Sequence, residues 1–165
     1  MKKPDAVATV YLTELFFELV TMSQGMLRYG EPSAPLHHLP PNASDTALGA
    51  TLRIALSASK RVSVEDFQKI FHSGIIQKTG EDRTKSTMQK YGYKTKRALY
   101  KNMMCCWISV LDGKIEIAPS HHKSLDSYTA TQDGPEPLFL DASISDAELG
   151  AALREGFKRC TSAVT

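Results

Sequence analysis

The sequence has little of what marks an enzyme, a metalloprotein or a membrane protein. It has no G-x-S-x-G nucleophile elbow and no phosphate-binding loop. It has no run of eighteen apolar residues, so no segment is long enough to span a bilayer. Its N-terminus, MKKPDAVATV, places a proline and an acid where a signal peptide needs an apolar stretch. Cysteine is scarce: three residues, Cys105, Cys106 and Cys160, with no C-x-x-C pair. That pattern excludes a zinc knuckle and a disulfide framework. It predicts reduced, largely buried thiols in a reducing compartment, here the cytoplasm.

What is present is one segment written twice. Leu39–Lys60 reads LPPNASDTALGATLRIALSASK, and Leu140–Thr161 reads LDASISDAELGAALREGFKRCT, offset by 101 residues. The pattern predicts two copies of a strand-loop-helix unit. The first helix is expected from Asp45 to Ser59, with Ser44 as N-cap and a Leu48, Leu52, Leu56 face. The second is expected from Asp146 to Cys160, with Ser145 and Glu148 as a capping box and a Leu149, Leu153, Phe157 face. Glycine within a helix costs about 1 kcal/mol relative to alanine. Its presence at both Gly49 and Gly150 points to close approach of a sheet or of the twin helix. Arg53 and Arg154 occupy matching positions and are read as structural ion-pair partners.

The 165 residues fit one domain, 1–165, with a core that needs no staple. Residues 7–22, VATVYLTELFFELVTM, fit a helical stripe or a period-two strand. Their β-branched and aromatic content favours one long strand. Gly25–Asn42 contains Pro32, Pro35, Pro40 and Pro41 and reads as a loop. Val64–His72 is a short helix, or a strand lies near Ile75. Thr84–Tyr91 is a short exposed helix. Extended runs from Leu99 to Leu111 and from Lys114 to Pro119 flank Asp112-Gly113, a strong hairpin signal. Ser120–Pro137 is polar, with a turn at Asp133-Gly134, and Pro137–Leu140 is a short strand. The sum is an α+β fold: a largely antiparallel sheet packed with two related helices.

Charge is uneven. Arg83, Lys85, Lys90, Lys94, Lys96, Arg97 and Lys101 fall in one segment free of acids. The chain carries +2 overall and this segment +7, so the remainder is −5. Tyr91, Tyr93 and Tyr100 are interleaved with the cations. Such a mixture serves a protein interface or a nucleic acid, although a near-neutral chain is unusual for a dedicated nucleic-acid binder. The histidines come as His37-His38 and His121-His122, with His72 alone. Adjacent residues in extended chain point to opposite faces, so a doublet seldom ligates one metal. No catalytic residue, metal ligand or cofactor is assigned.

Five strings in order carry a resemblance: YLTELFFELVTMSQG, the LPPNASDTALGATLRIALSASK segment, YGYKTKRALYKNM, DGKIEIAPSHHKSLDSYTA and LDASISDAELGAALREGFKRC. From Tyr11 to Cys160 the chain resembles the immunity proteins of bacterial contact-dependent growth inhibition systems. The resemblance implies a cytoplasmic, non-enzymatic inhibitor. Its partner would be the toxic C-terminal domain of a cell-surface effector, often a nuclease. Inhibition would come from occupying the active site or blocking substrate entry. The family supplies no catalytic residue to transfer. The basic segment departs from the acidic character expected of a nuclease's partner. Either the toxin presents an acidic face to it, or the acidic remainder makes the contact. The expected contact residues are Tyr91, Tyr93, Lys94, Lys96 and Arg97, then His121, His122 and Lys123. The rival readings are an RNA-binding or RNA-processing protein using 83–101, and a dimer module built on the Gly49 and Gly150 helices.

Overall fold

A computed structural model describes residues 2–130 and 134–165. The predicted long strand at 7–22 is instead a hairpin of β1 (Ala6–Leu12) and β2 (Phe17–Gln24), paired from Leu12↔Phe17 to Val7↔Met22. No glycine or proline announces the turn. Thr13 makes it: its N–H donates to the Phe16 carbonyl (2.9 Å) and its Oγ1 accepts from the Leu15 N–H (3.1 Å). A hydroxyl turn of this kind competes with extended backbone. The expected loop at 25–42 holds two short strands, β3 (Arg28–Gly30) and β4 (His37–Leu39), both on the outer edge of β2. The four prolines fall between and after these strands, where no ladder N–H is required.

The helices of the two related segments are α1 (Asp45–Ser57) and α5 (Asp146–Lys158), each slightly shorter than expected. Ser44 Oγ accepts from Ala47 N–H and Ser145 Oγ from Glu148 N–H, as the capping pattern predicts. Between them lie α2 (Val64–His72), α3 (Ile75–Tyr91) and α4 (Lys96–Tyr100). α2 is one of the two alternatives left open. α3 is twice the expected length, running between Gly74 and Gly92, both left-handed. α4 replaces the start of the run expected to be extended, because Thr95 Oγ1 caps Ala98 N–H at 3.0 Å. Strands β5 (Met104–Leu111) and β6 (Lys114–Pro119) form the Asp112-Gly113 hairpin, with φ of 51° and 76° at the turn. The stretch after Ser120, read only as polar, folds as β7 (His121–Ser124) and β8 (Ser127–Thr129). β9 (Leu138–Asp141) and β10 (Thr161–Ser162) complete the strands. The expected Asp133-Gly134 turn falls partly outside the described residues.

The main sheet is antiparallel in the order β3-β2-β1-β5-β6-β9, with β4 beside β3 along β2. A second sheet has the order β10-β7-β8. One face of the main sheet carries Val10, Leu19, Cys106, Ile108, Ile115 and Ile117 and is covered by α1 and α5.

Those two helices touch almost backbone to backbone. A methyl on Gly49 would overlap the Asp146 carbonyl oxygen; a methyl on Gly150 would overlap that of Asp45. Arg53 Nε donates to Asp146 Oδ1 (2.8 Å), and its terminal nitrogens donate to the carbonyls of Ala142 and Ile144. Arg154 does the same with Asp45 (2.8 Å), Pro41 and Ala43, each counterpart 101 positions earlier. Both arginines are thus structural. The close approach is used within the chain, which leaves these glycine faces unable to build a dimer.

Candidate functional site

The opposite face of the sheet is covered at one end by the basic segment, and the contact is polar. Glu18 on β2 is 5% exposed. Its Oε1 accepts from Thr87 Oγ1 on α3 (2.7 Å) and lies 2.9 Å from His38 Nε2 on β4. Lys90 Nζ lies 3.1 Å from His38 Nδ1. An ammonium group can only donate, so Nδ1 accepts and the proton sits on Nε2, facing Glu18. The His38 ring thus bridges the Lys90 side chain and the Glu18 carboxyl group. Thr87→Val leaves a buried carboxylate short of a donor. We expect it to cost about 2 kcal/mol of stability measured by urea unfolding, with Thr87→Ser losing far less.

Beside this chain Phe16, fully buried, gathers the tyrosines. Tyr91 stacks on it at 4.4 Å and Tyr93 meets it edge-on at 6.3 Å. The Tyr93 hydroxyl donates toward Thr13 Oγ1 (3.2 Å) and Glu14 Oε1 (3.1 Å). Burial, with the nearby Glu14 charge, pushes its phenol above the ordinary range. A cavity of about 170 Å³ separates α3 and α4 from the sheet, lined by Tyr11, Glu18, Arg83, Tyr100 and Tyr128 among others. Burial raises the Tyr11 phenol strongly. Tyr91 and Tyr93 therefore anchor the segment to the body.

The cations face outward. Lys94, Lys96, Arg97 and Lys101 are exposed, and none enters an ion pair among the described residues. The structure joins this segment to the second expected cluster. Arg97 donates to the Thr165 carbonyl (3.1 Å), and the same C-terminal stretch pairs through β10 with β7, where Thr161 lies against His121. His121 Nδ1 lies 2.7 Å from Thr161 Oγ1, and Lys123 is exposed. His122 is different. It is 1% exposed, stacks on Tyr128 at 4.4 Å and bonds the Leu125 carbonyl. It supports the corner from inside, as the alternation of an extended doublet requires. Among the described residues no group of three or more His, Cys, Asp or Glu is placed to hold a metal ion. Among them also no helix is long and apolar enough to cross a membrane.

Sequence reasoning missed two features. One is the Glu18–His38–Thr87–Lys90 chain, whose members come from three elements and show no local spacing. The other is an apolar patch on the far side of the molecule. There Met26 and Leu27 at the β2–β3 turn, and Phe71 stacked on Phe67 at 5.8 Å, are more than half exposed except for Phe67. The stripe Val64, Phe67, Phe71 on so short a helix was the available signal.

The family model for CdiI, the CDI immunity protein, matches residues 6–160. The chain belongs to the CdiI family of CDI immunity proteins. Immunity protein CdiI-YPIII of Yersinia pseudotuberculosis serotype O:3 (strain YPIII) is 32% identical to it over 169 residues, spanning 94% of this chain and 96% of that one. Two solved structures share the fold of this CdiI-family chain. A protein of unknown function from Neisseria meningitidis superposes with a TM-score of 0.86 at 30% identity, over 97% of this chain and 99% of that one. A CdiA-CT/CdiI toxin and immunity complex from Yersinia pseudotuberculosis gives a TM-score of 0.84 at 28% identity, over 94% and 97%.

Proposed function

We propose that this CdiI-family protein binds the C-terminal toxin domain of a CdiA-type effector in the cytoplasm and neutralises it without turning over a substrate. The observation that carries the reading is the match along residues 6–160 to the immunity family, together with the fold shared with a toxin-bound relative. We read the toxin as a nuclease, and the inhibition as occlusion of its active site or of substrate entry. Protection at low cellular concentration calls for nanomolar affinity, about −12 kcal/mol. An interface of roughly 1,600 Å² with a few desolvated anchors supplies that.

The docking surface in this reading is the α3–α4 corner with its neighbour β7: Lys94, Lys96 and Arg97 outward, Tyr91 and Tyr93 behind them, His121 and Lys123 at the side. Outward cations without carboxylate partners among the described residues, on a segment whose tyrosines pack on the buried Phe16, give a rigid positive face. Such a face suits an acidic patch on a protein partner. It suits single-stranded RNA less well. Stacking on bases needs free aromatic faces, and Tyr91 spends one face on Phe16.

The test is co-expression with the toxin domain encoded immediately upstream. Growth should be rescued, the two proteins should co-purify, and the isolated chain should leave RNA uncut. Salt-dependent RNA binding that falls when Lys94, Lys96 and Arg97 become alanine, with no rescue by co-expression, would favour the RNA reading instead.

A further inference from the structure

We propose that Cys106 and Cys160 form a reversible dithiol–disulfide modification site on the seam between β5 and the end of α5. Their sulfurs lie 3.7 Å apart, and both are free thiols. The residues are 54 positions apart in sequence, so the contact is made by the fold. Gly156 permits it. A β-carbon there would fall 2.7 Å from Ile117 and 3.5 Å from the Cys106 sulfur, so a larger residue would lift α5 from the strand.

The two thiols are unequal. Cys106 is wholly buried on the core face of β5. Cys160 is half-buried and follows the C-cap Arg159 on the short link from α5 to β10, outside the main sheet; its N–H bonds Phe157, and Thr161 and Ala163 bond Ser120 and His122. Contact with the Cys106 sulfur holds Cys160 down at about 7, while the Cys160 S–H lies 3.3 Å from the Cys105 carbonyl as its donor. The same contact, with burial, pushes Cys106 far up. Cys160, the more accessible of the two, is the thiol a peroxide reaches, and Cys106, buried 3.7 Å away, is placed to resolve it. Cys105 is buried, and its sulfur points to the opposite face of the sheet.

The oxidant is a peroxide, hydrogen peroxide in the simplest case. Cys160 thiolate attacks the O–O bond. An S–O bond forms, the O–O bond breaks, and the departing hydroxide takes a proton to become water. Cys106 then attacks the Cys160 sulfur. The S–S bond forms, the S–O bond breaks, and hydroxide leaves with the Cys106 proton as a second water. Two thiols are oxidised and one peroxide is reduced to two waters. Closing the contact to the S–S length of about 2.05 Å moves the Cys160 side, which is the looser of the two. The product staples α5 to β5 and fixes β10, and with it the β7 strand bearing His121 and Lys123.

The experiment treats the full-length protein with hydrogen peroxide, blocks remaining thiols with an alkylating agent, and maps the peptides. The expected result is a loss of two hydrogens, one alkylated cysteine (Cys105), and a Cys106–Cys160 cross-linked peptide that dithiothreitol releases. The initial rate should rise about tenfold between pH 6 and pH 8, following the Cys160 thiolate. Cys106→Ser should instead accumulate a dimedone-reactive sulfenic acid on Cys160. Three alkylatable thiols after peroxide, a cross-link through Cys105, a bond between two molecules, or direct passage of wild-type Cys160 to sulfinic acid would each overturn the proposal. The wild-type map alone decides if the variant does not fold.

Discussion

Gly150→Ala is expected to destabilise the protein by about 3 kcal/mol, the upper part of the range for an overpacked core. The added methyl meets the Asp45 carbonyl oxygen, which belongs to backbone and cannot swing away. Relief requires α5 to withdraw from α1. Withdrawal pulls Arg154 from Asp45, Pro41 and Ala43, and Arg53 from Asp146, Ala142 and Ile144. The better helix propensity of alanine, about 1 kcal/mol, offsets only part of this. At about 2–4 °C per kcal/mol for a chain of this size, the melting temperature should fall by about 6–12 °C. Gly49→Ala should behave alike. Gly80→Ala is the control: that glycine is also inside a helix but has open space around it. It should be neutral or stabilising by roughly 0.5–1 kcal/mol. Equal melting temperatures for the Gly150 and Gly80 variants would show that the helices do not touch as described.

The second large effect is kinetic. Lys94→Glu, Lys96→Glu and Arg97→Glu together reverse the charge of the corner. Electrostatic steering is worth about 10–10³ in association rate. The triple variant should bind the upstream-encoded toxin domain about 100-fold more slowly at low salt. The dissociation rate should change much less, since exposed rim charges act mainly on encounter. The gap should close toward 1 M salt, where the Debye length falls to about 3 Å. Stopped-flow association over a salt series measures this. Stability should move little, because these side chains are exposed and enter no ion pair among the described residues, the one bond lost being that from Arg97 to the exposed Thr165 carbonyl. Association unaffected by the reversal would move the docking surface elsewhere, with the Met26, Leu27 and Phe71 patch next in line.

The features that were legible in the sequence are those fixed by local chemistry. Asp112-Gly113 specifies its own turn, and Ser44 and Ser145 specify their caps. The paired glycines and arginines at one offset announced a close contact, though not whether a sheet or the twin helix made it. The failures have physical causes. A hydroxyl turn at Thr13 carries no glycine or proline, so two strands read as one. Thr95 caps a five-residue helix inside an apolar run that otherwise suits a strand. Thr79 and Gly80 hid the first half of α3, which Gly74 and Gly92 in fact bracket. At the candidate site, the link between the Tyr91–Arg97 segment and His121–Lys123 runs through Thr161 and Thr165. No spacing rule connects residues so far apart. The burial of His122 follows from alternation once β7 is known, and β7 was hidden in a polar stretch.

The mutual clasp of α1 and α5 also governs when the protein can begin to act. The nascent polypeptide holds Leu48, Leu52 and Leu56 without their main cover until Lys158 has left the ribosome. At about 5–20 residues per second, the roughly 100 residues from the end of α1 to the end of α5 take about 5–20 s to add. β1 likewise waits for β5 before its second edge is paired. Function thus arrives late and all at once. A chain interrupted before α5 is not a weaker member of its family but an unfinished one, with an oily helix face inviting aggregation.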